Sequence, residues 1–263
     1  MNLYEFSQGT VPLLVSMPHC GTHIPPPLEA DMTPAALAVP DTDFHLPRLY
    51  DFVTELGASV LAATHSRYVI DLNRPPDGAV LYPGASNTEL CPTTRFDFAP
   101  VYREGRAPDA AAIRARVAEY WEPYHARLAE ELERIRRLHG HALLFDAHSI
   151  VSVCPRLFEG RLTDINLGTA DDASCEPALA AIVLEAAQEY PGYASILNGR
   201  FKGGYITRRY GRPEHRVHAV QLELAERTYM DEAPPFAFDE TLAEGVRPVL
   251  RSVLEAMLAW RQQ

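Results

Sequence analysis

Two histidines that follow apolar segments are the first candidates for chemistry in this sequence. His19 comes after VPLLVSM (11–17), and His148 ends ALLFDAH (142–148). In open α/β sheets, ligands bind beyond the carboxyl ends of the strands, where side chains from several strands meet. Each histidine could instead form only local hydrogen bonds at its strand end. Two strands that each deliver a histidine favour a shared site over that interpretation.

Candidate acidic ligands occur in DTDFHLPRLYDF, where Asp41 and Asp43 open a predicted helix. Aspartates at a helix start also cap the helix and interact favourably with its dipole, and we expect that role for one of the two. A carboxylate with two histidines is, however, a ligand set of hydrolytic zinc sites, in which three protein ligands leave one position open. The residue types therefore indicate a metal site.

A candidate general base is Glu223 in VHAVQLELA (217–225), an apolar segment with a strand pattern. Strand alternation puts Gln221 and Glu223 on one side and the leucines on the other. A carboxylate in a buried strand costs free energy unless it is paired or functional, so we expect Glu223 to accept a proton from a hydrolytic water. Glu226 lies in more polar surroundings, and we expect it to be solvated.

Arginines near predicted strand ends indicate an anionic substrate. Arg67, Asn73 and Arg74 lie in SRYVIDLNRPPDG, and Arg209 lies in FKGGYITRRYG. A guanidinium group matches a carboxylate in a bidentate geometry. A surface salt bridge is an equal alternative for any one arginine, but less so for Arg74, which lies between Asn73 and Pro75.

Two other uses of the segment PHCGTHIP are disfavoured. His19 and His23 have the spacing of a helical HExxH zinc motif, but Cys20 occupies the position of the glutamate. The glycine and prolines of the segment also argue against a helix. A cysteine hydrolase that uses Cys20 would need a proton relay that the adjacent His19 cannot readily form. We therefore expect His23 to contribute much less than His19.

These side chains need a scaffold that brings strand ends together, and the rest of the pattern predicts one. Near-continuous apolar runs, typical of strands covered on both faces, alternate with helical patterns, so we expect a three-layer α/β fold. The predicted strands are 11–17, 58–64, 67–72, 142–148 and 217–225. The predicted helices are 45–56, 109–140 with a kink or division at Pro123, 175–189 and 239–262, and long loops are predicted at 24–40 and 75–102.

The composition limits the partners. We interpret the 263 residues as a single domain, 1–263. With 24 basic and 35 acidic residues, the net charge of −11 argues against nucleic acid, because phosphate binding needs basic surface. No apolar run approaches the roughly 20 residues of a membrane span, and the N-terminal segment does not have a signal-peptide pattern. The four cysteines lack a CxxC pair, so we expect reduced thiols and a cytoplasmic location.

Seven segments, in the same order, are similar to those of a known family: SMPHCGTHIP, DTDFHLPRLYDF, SRYVIDLNRPPDG, DAHS, NLGTADDASC, NGRFKGGYITRRYG and VQLELAERTYM. Over nearly its whole length the chain resembles the N-formylglutamate amidohydrolase family. That family is related to zinc-dependent exopeptidase-like α/β/α proteins, which include zinc carboxypeptidases and aspartoacylase. The resemblance implies an α/β/α sandwich with a central mixed, mostly parallel sheet.

The resemblance also implies an activity. It is the metal-dependent hydrolysis of N-formyl-L-glutamate, a small anionic substrate, to formate and L-glutamate in histidine degradation. The implied cofactor is Zn²⁺, and Co²⁺ and Mn²⁺ accept similar ligands. Two alternatives stay open: another zinc-dependent N-acyl-amino-acid amidase on this scaffold, and a non-catalytic carboxylate-binding protein, which would not need a buried base.

By residue, the resemblance assigns His19 and His148 to the histidine ligands and Glu223 to the catalytic carboxylate. An aspartate must replace the usual glutamate ligand. We expect Asp43 rather than Asp41, because the apolar residues of the following helix then lie on its buried face.

The remaining assignments concern the substrate. Asn73 and Arg74 match a stretch that aspartoacylase-like enzymes use on a substrate carboxylate, and we expect Arg209 to assist them. Arg67 or Arg74 is expected to stabilise the oxyanion, and Asp146 to orient a histidine ligand.

Overall fold

The computed structural model describes residues 1–80 and 86–261, and their strands form one seven-stranded sheet. The strand order is β1-β3-β2-β4-β7-β5-β6. The β1–β3 and β5–β7 pairings are antiparallel, and the other four are parallel, which confirms the predicted mixed, mostly parallel sheet. The strands are β1 Tyr4–Ser7, β2 Leu13–Met17, β3 Ser59–Ala63, β4 Ala142–Ile150, β5 Ile165–Gly168, β6 Ser195–Leu197 and β7 Val217–Ala225.

Helices cover both faces of this sheet. The α-helices are α1 Pro26–Glu29, α2 Leu46–Leu49, α3 Ala110–Arg116, α4 Glu122–His139, α5 Pro177–Gln188, α6 Tyr205–Tyr210 and α7 Glu240–Ala259. Short 3₁₀ turns occupy Ala36–Ala38, Asp51–Thr54, Pro213–His215 and Glu226–Thr228, and a π-helical turn occupies Val117–Trp121. Within the described residues, no helix is both long and apolar enough to cross a bilayer.

Alternation along the strands divides the core into two layers. In β4, Leu143 and Phe145 pack in the apolar cluster that includes α5 and α7, whereas Leu144 packs in the cluster that includes α4. Successive side chains of a strand point to opposite faces, so a fully buried strand needs cover on both. The predicted three-layer α/β/α architecture is confirmed.

The long helical pattern at 109–140 is divided, as predicted. The π-helical turn Val117–Trp121 separates α3 from α4, and Pro123 lies in the first turn of α4, where its missing N–H costs no hydrogen bond. The predicted helix at 45–56 is reduced to α2 and a 3₁₀ turn. Nearly every side chain from Leu49 to Val53 is buried, and a regular helix buries only one face.

The predicted strand at 67–72 is wrong. Tyr68, Val69, Ile70 and Leu72 are buried, but the segment forms turns and joins no strand of the sheet. A short apolar run indicates burial without fixing the backbone geometry. Side chains from elsewhere bind the backbone carbonyls of this segment, which is how it stays buried outside the sheet.

Several short elements lie outside the predicted ones. The strands β1, β5 and β6 have only three or four residues each, and α6 has six. The predicted loop 24–40 contains α1 and a 3₁₀ turn. The predicted loop 75–102 has no helix or named strand in 75–80 and 86–102, and its residues 81–85 lie outside the described chain.

Candidate active site

Three buried side chains meet at the carboxyl edge of the sheet. His19 follows β2, His148 lies in β4, and Asp43 precedes α2. One ligand atom from each lies within 4.8 Å of the others. Asp43 Oδ2 is 3.0 Å from His148 Nδ1 and 3.8 Å from His19 Nδ1. Tetrahedral ligands at about 2.0–2.2 Å from Zn²⁺ lie roughly 3.3 Å apart, so these spacings fit one small cation.

The second ring nitrogen of each histidine lies beside a carboxylate. His19 Nε2 is 2.7 Å from Asp71 Oδ1, and His148 Nε2 is 3.1 Å from Asp146 Oδ2. A metal-binding histidine usually donates its other N–H to a carboxylate, which fixes the tautomer and the ring orientation. Both Nδ1 atoms are then left on the side of Asp43, so the donor set fits a divalent metal.

Neighbouring basic side chains lower the pKa values of two buried aspartates. Burial opposes ionisation of Asp71, but His19 and Arg74 hold the pKa of its carboxyl well below the ordinary value. Burial also opposes ionisation of Asp43, and Arg67 is the main group that lowers its pKa. The site therefore keeps the negative charge that a cation needs.

The two histidines differ in protonation. Burial and the neighbouring Arg67 lower the pKa of His19, which favours the neutral imidazole that metals bind. For His148, burial is outweighed by Asp146 and Asp43, which raise its pKa well above the ordinary value. A cation bound at Nδ1 of His148 would have to displace a proton.

Glu223 lies beside the ligand group on the neighbouring strand. The parallel β4–β7 register pairs it with His148. Gln221 Nε2 donates to Glu223 Oε2 at 3.3 Å, and Gln221 Oε1 accepts from the Gly204 N–H at 2.7 Å, which fixes the amide orientation. Burial raises the pKa of Glu223 to about 8, against the opposing effect of His148. A carboxyl group with a pKa near neutrality suits proton transfer.

Arg67 lies between the ligand group and the neighbouring cavity. Its Nη2 donates to Asp43 Oδ1, and its guanidinium carbon lies 5.2 Å from the centroid of the Phe96 ring. Within the described chain, its buried Nε has no hydrogen-bond partner. An unpaired buried N–H costs free energy, so a substrate oxygen at this atom would be bound favourably.

Asn73 is oriented by the start of α6. Its Oδ1 accepts from the Ile206 N–H at 2.8 Å, and its Nδ2 lies 3.0 Å from His148 Nε2. A Cβ at Gly204 would lie 2.3 Å from Asn73 Nδ2, so position 204 requires glycine for this close approach. The amide nitrogen of Asn73 is thereby directed toward the ligand group.

Arg74 is held by the segment that follows the undescribed residues. Its Nε and Nη2 donate to the carbonyl and hydroxyl oxygens of Thr88 at 3.1 and 2.9 Å, and its Nη1 donates to the Asn73 carbonyl at 3.1 Å. These bonds use three of the five N–H donors of a guanidinium group, which leaves two for a ligand.

A cavity of about 80 Å³ joins these groups. His19, Arg67, Asn73, Arg74, His148 and Glu223 all line it. The apolar part of its lining consists of Phe96, Ile150, Leu157 and Phe201. A small cavity with convergent cations, a buried base and one apolar wall suits a small anionic substrate.

Several residues considered from the sequence lie elsewhere. Arg209 is exposed and does not line the cavity. Asp41 is not in the ligand group, and its Oδ2 accepts from the Phe96 N–H at 2.9 Å. His23 pairs instead with His65. The expectation that Glu226 is solvated is wrong, because Glu226, in the 3₁₀ turn that follows β7, is only 4% exposed.

Cys20 has the wrong chemistry for a nucleophile. Its thiol lies 3.3 Å from the carbonyl oxygens of Met17 and Ala63 and donates toward them. Burial raises the pKa of the thiol to about 12. The thiolate is the reactive form, so this cysteine is held as an unreactive thiol.

Three contact residues were not assigned from the sequence. Asp71 binds His19, Gln221 binds Glu223, and Thr88 binds Arg74. A signal existed for Gln221, which shares a strand face with Glu223, and for Asp71, a charged residue inside an apolar run. Nothing in the sequence indicated Thr88, because its contact joins two irregular segments.

A protein-family model matches most of the chain. A sequence model described as N-formylglutamate amidohydrolase matches residues 11–230, a range that contains the three candidate metal ligands and Glu223. The chain belongs to this family. The family resemblance predicted from the sequence is thereby confirmed.

Relatives from this family match along almost the whole chain. A protein of Pseudomonas aeruginosa named N-formylglutamate deformylase is 57% identical over 98% of this chain and 97% of its own. A Pseudomonas putida protein with the same name is 51% identical over 97% of this chain and 96% of its own. The crystal structure of an N-formylglutamate amidohydrolase from Ralstonia eutropha JMP134 superposes with a TM-score of 0.83 at 28% identity, covering 97% of both chains.

Proposed function

We propose that this protein hydrolyses N-formyl-L-glutamate to formate and L-glutamate with the help of a bound divalent metal. The names of the Pseudomonas relatives support the reaction. One observation supports the metal dependence above all others: His19, Asp43 and His148 converge within 4.8 Å, with Glu223 in register beside His148.

In this proposal His19 Nδ1, an Asp43 oxygen and His148 Nδ1 hold the metal. Asp71 and Asp146 orient the two rings through their Nε2 atoms. A bound Zn²⁺ would polarise the formyl carbonyl, lower the pKa of water toward neutrality and favour the ionised form of Glu223.

Glu223 is the proposed proton carrier. It accepts a proton from the water that attacks the formyl carbon and returns it to the amide nitrogen as the C–N bond breaks, so formate and the free amine leave. Gln221 holds one carboxylate oxygen of Glu223 through its fixed NH₂ group. This contact favours a single orientation of the base.

The arginines of the cavity are proposed to bind the negatively charged oxygens of the substrate and of the transition state. The unpaired Nε of Arg67 would donate to the carbonyl oxygen as it gains charge. Arg74, with the NH₂ group of Asn73, would bind a carboxylate of the glutamate moiety. Arg209 is not included, because it lies outside the cavity lining. The choice of Zn²⁺, the role in histidine degradation and the cytoplasmic location stay predictions.

The test is formate release by the purified, metal-analysed protein. We expect release from N-formyl-L-glutamate, with a much lower kcat/KM for N-formyl-L-norvaline, which lacks the side-chain carboxylate, and for N-acetyl-L-glutamate. Faster turnover of N-acetyl-L-glutamate would favour a different N-acyl-amino-acid amidase. Binding without turnover of any of the three would favour a non-catalytic carboxylate-binding protein.

A further inference from the structure

Side chains from one face of the α3–α4 helical segment donate three hydrogen bonds to backbone carbonyls of the segment 69–74. Arg116 Nη1 donates to the Val69 carbonyl at 3.0 Å, and Trp121 Nε1 donates to the Arg74 carbonyl at 3.0 Å. From the same face, His125 Nε2 is 2.9 Å from the Leu72 carbonyl. We call Arg116, Trp121 and His125 the donor row. The segment 69–74 that it binds overlaps the wrongly predicted strand 67–72.

The π-helical turn brings the donor row into line. Arg116 and Trp121 are five residues apart, and the i→i+5 bonding of a π turn widens the helix so that both reach the same segment. Trp121 ends the π turn and lies four residues before His125 of α4, and their rings stack with centroids 3.7 Å apart. π turns recur at functional sites, and this one fixes two ring donors against a segment that lines the cavity.

The neutral tautomer of His125 with a proton on Nε2 fits its hydrogen bond to the Leu72 carbonyl. Its Nε2 must carry a proton to donate to the Leu72 carbonyl, and its Nδ1 lies 2.9 Å from the Tyr210 hydroxyl, which donates to it. Burial lowers the pKa of His125 to about 4, which keeps the ring neutral at neutral pH. The ring is 4% exposed, so these partners hold it in one tautomer.

The two carbonyls that Trp121 and His125 bind flank Asn73. Asn73 is in turn fixed through its side chain by the Ile206 N–H, and Arg74 is fixed at its guanidinium by Thr88. Within the described residues, Trp121 and His125 supply the hydrogen bonds to the Arg74 and Leu72 carbonyls, whereas the backbone N–H groups of Asn73 and Arg74 bind only to Asp71, inside the same segment. The direction of the two substrate-facing side chains depends on that backbone.

We infer that Trp121 and His125 are positioning residues for substrate binding, which act through the backbone of Leu72 and Arg74 and do not touch the substrate. The inference rests on the proposed function, in which Asn73 and Arg74 bind a substrate carboxylate. Loss of a donor should weaken substrate binding more than it slows the chemical step.

The test compares variants that keep or remove each donor. Trp121→Phe keeps the stacked ring but removes the N–H, and His125→Leu removes both nitrogens. We expect each to raise KM for N-formyl-L-glutamate about 3- to 10-fold, the scale of one hydrogen bond, with kcat within about twofold of wild type. His125→Gln keeps an N–H near the Nε2 position, so it should restore KM toward the wild-type value.

Trp260→Phe is the matched control. Trp260 is also buried, but it packs on His218 at the amino-terminal end of β7, at the opposite edge of the sheet from the cavity. It should leave KM unchanged even if it lowers the melting temperature. If KM rose as much in Trp260→Phe as in Trp121→Phe, the rise in Trp121→Phe would reflect a general loss of packing. That result would overturn the inference.

A double-mutant cycle gives the decisive comparison. In an Arg74→Ala background, Trp121→Phe should add little to KM, because the side chain it positions is gone. A full additional rise in that background would overturn the inference, as would an unchanged KM in folded Trp121→Phe and His125→Leu. Calorimetric Kd values for L-glutamate, the proposed product, should follow the same order as KM.

The two proposals can fail separately. Wild-type turnover of N-formyl-L-glutamate with unaffected donor-row variants would refute the positioning role alone. Absence of wild-type turnover, with L-glutamate binding still weakened in Trp121→Phe, would refute the proposed function alone. Absence of both turnover and L-glutamate binding in the wild type would refute both.

Discussion

The rings of His19 and His148 are 4.8 Å apart, and the rings of His23 and His65 are 4.9 Å apart. Their surroundings differ. The first pair is 4% and 2% exposed, whereas both members of the second pair are half-buried. Within the described chain, only the first pair joins a third side chain of metal-ligand type, which is Asp43. Ring spacing alone therefore does not identify a metal centre.

The second ring nitrogens explain the difference. In the first pair each Nε2 faces an aspartate, which fixes the ring and makes it a better ligand. In the second pair, His65 Nδ1 lies 2.9 Å from the Thr64 hydroxyl, and burial together with His23 lowers the pKa of His65. The lowered pKa keeps that ring neutral, and within the described residues no hydrogen bond joins it to a carboxylate. A metal site depends on the partners of the histidines as much as on the histidines.

The largest expected effect separates the two pairs directly. His19→Ala and His148→Ala should each lose bound metal and formate release together, by more than the about 10- to 100-fold typical of losing an outer partner. His23→Ala should keep both. Metal analysis and turnover on the same preparations check this. Metal loss in His23→Ala with metal retained in His148→Ala would reverse the comparison.

The next effect concerns the base beside the first pair. Glu223→Gln keeps the shape of the side chain but cannot accept a proton, so kcat should fall by about 10²- to 10⁴-fold. Metal content and melting temperature should stay near wild type. Glu214→Gln, at an exposed position, is the matched control. Wild-type kcat in Glu223→Gln with full metal would eliminate Glu223 as the base.

The carboxylates behind the rings should have a smaller effect. Asp71→Asn and Asp146→Asn should each weaken metal affinity by about 10- to 100-fold, because an amide orients the imidazole less well. Competition with a chelator of known affinity measures this. Asp41→Asn is the control, since Asp41 is an aspartate of the same region that does not face either ring. Equal losses in all three variants would refute a specific role for the two carboxylates.

A moderate effect is expected at the substrate arginine. Arg74→Lys keeps the charge but removes the planar fork that binds both Thr88 and a carboxylate, so KM should rise more than kcat falls. Arg209→Lys makes the same exchange at an exposed position outside the cavity lining and should change neither constant. A larger rise in KM for Arg209→Lys than for Arg74→Lys would indicate that Arg209 binds the substrate.

The smallest expected effect is at Cys20. The Cys20 thiol has a raised pKa and is directed at two backbone carbonyls, so we expect no catalytic role for it. Cys20→Ala should therefore leave kcat within about twofold of wild type, which corresponds to about 0.5 kcal/mol, the usual effect of a substitution away from special features. Iodoacetamide at neutral pH should label it slowly. Abolished turnover in a folded, metal-replete Cys20→Ala would revive the cysteine mechanism.

The strands that carry the site could be predicted from the sequence. The observed strands β2, β4 and β7 lie within or nearly match the predicted segments 11–17, 142–148 and 217–225. The prediction succeeds because strands buried on both faces have nearly continuous apolar sequences. His19 and His148 follow or end two of these strands and Glu223 lies near the end of the third, so the sequence predicts them as neighbours, and all three line one cavity. The preference for Asp43 over Asp41 also came from the sequence, because the apolar residues of the following helix then lie on its buried face, and Asp43 is the aspartate that lies with the two histidines.

The backbone conformation of segment 67–74 could not be predicted from the hydrophobic pattern of the sequence. Its apolar side chains indicate burial, but its carbonyls are bound by side chains from the α3–α4 helical segment, 47 to 53 residues later, and not by a neighbouring strand. Periodicity reports which side chains are buried and not what binds the backbone. The same holds for Thr88, whose contact with Arg74 joins two loops.

The most direct test of the central claim is a metal titration followed through formate release. Protein stripped by a chelator should release no formate from N-formyl-L-glutamate, and activity should return as Zn²⁺ is added. If His19, Asp43 and His148 form one catalytic metal site, recovery should saturate at one equivalent per chain in the wild type and in His23→Ala, and should fail in His148→Ala. Full activity in wild-type protein with no bound metal would contradict the account.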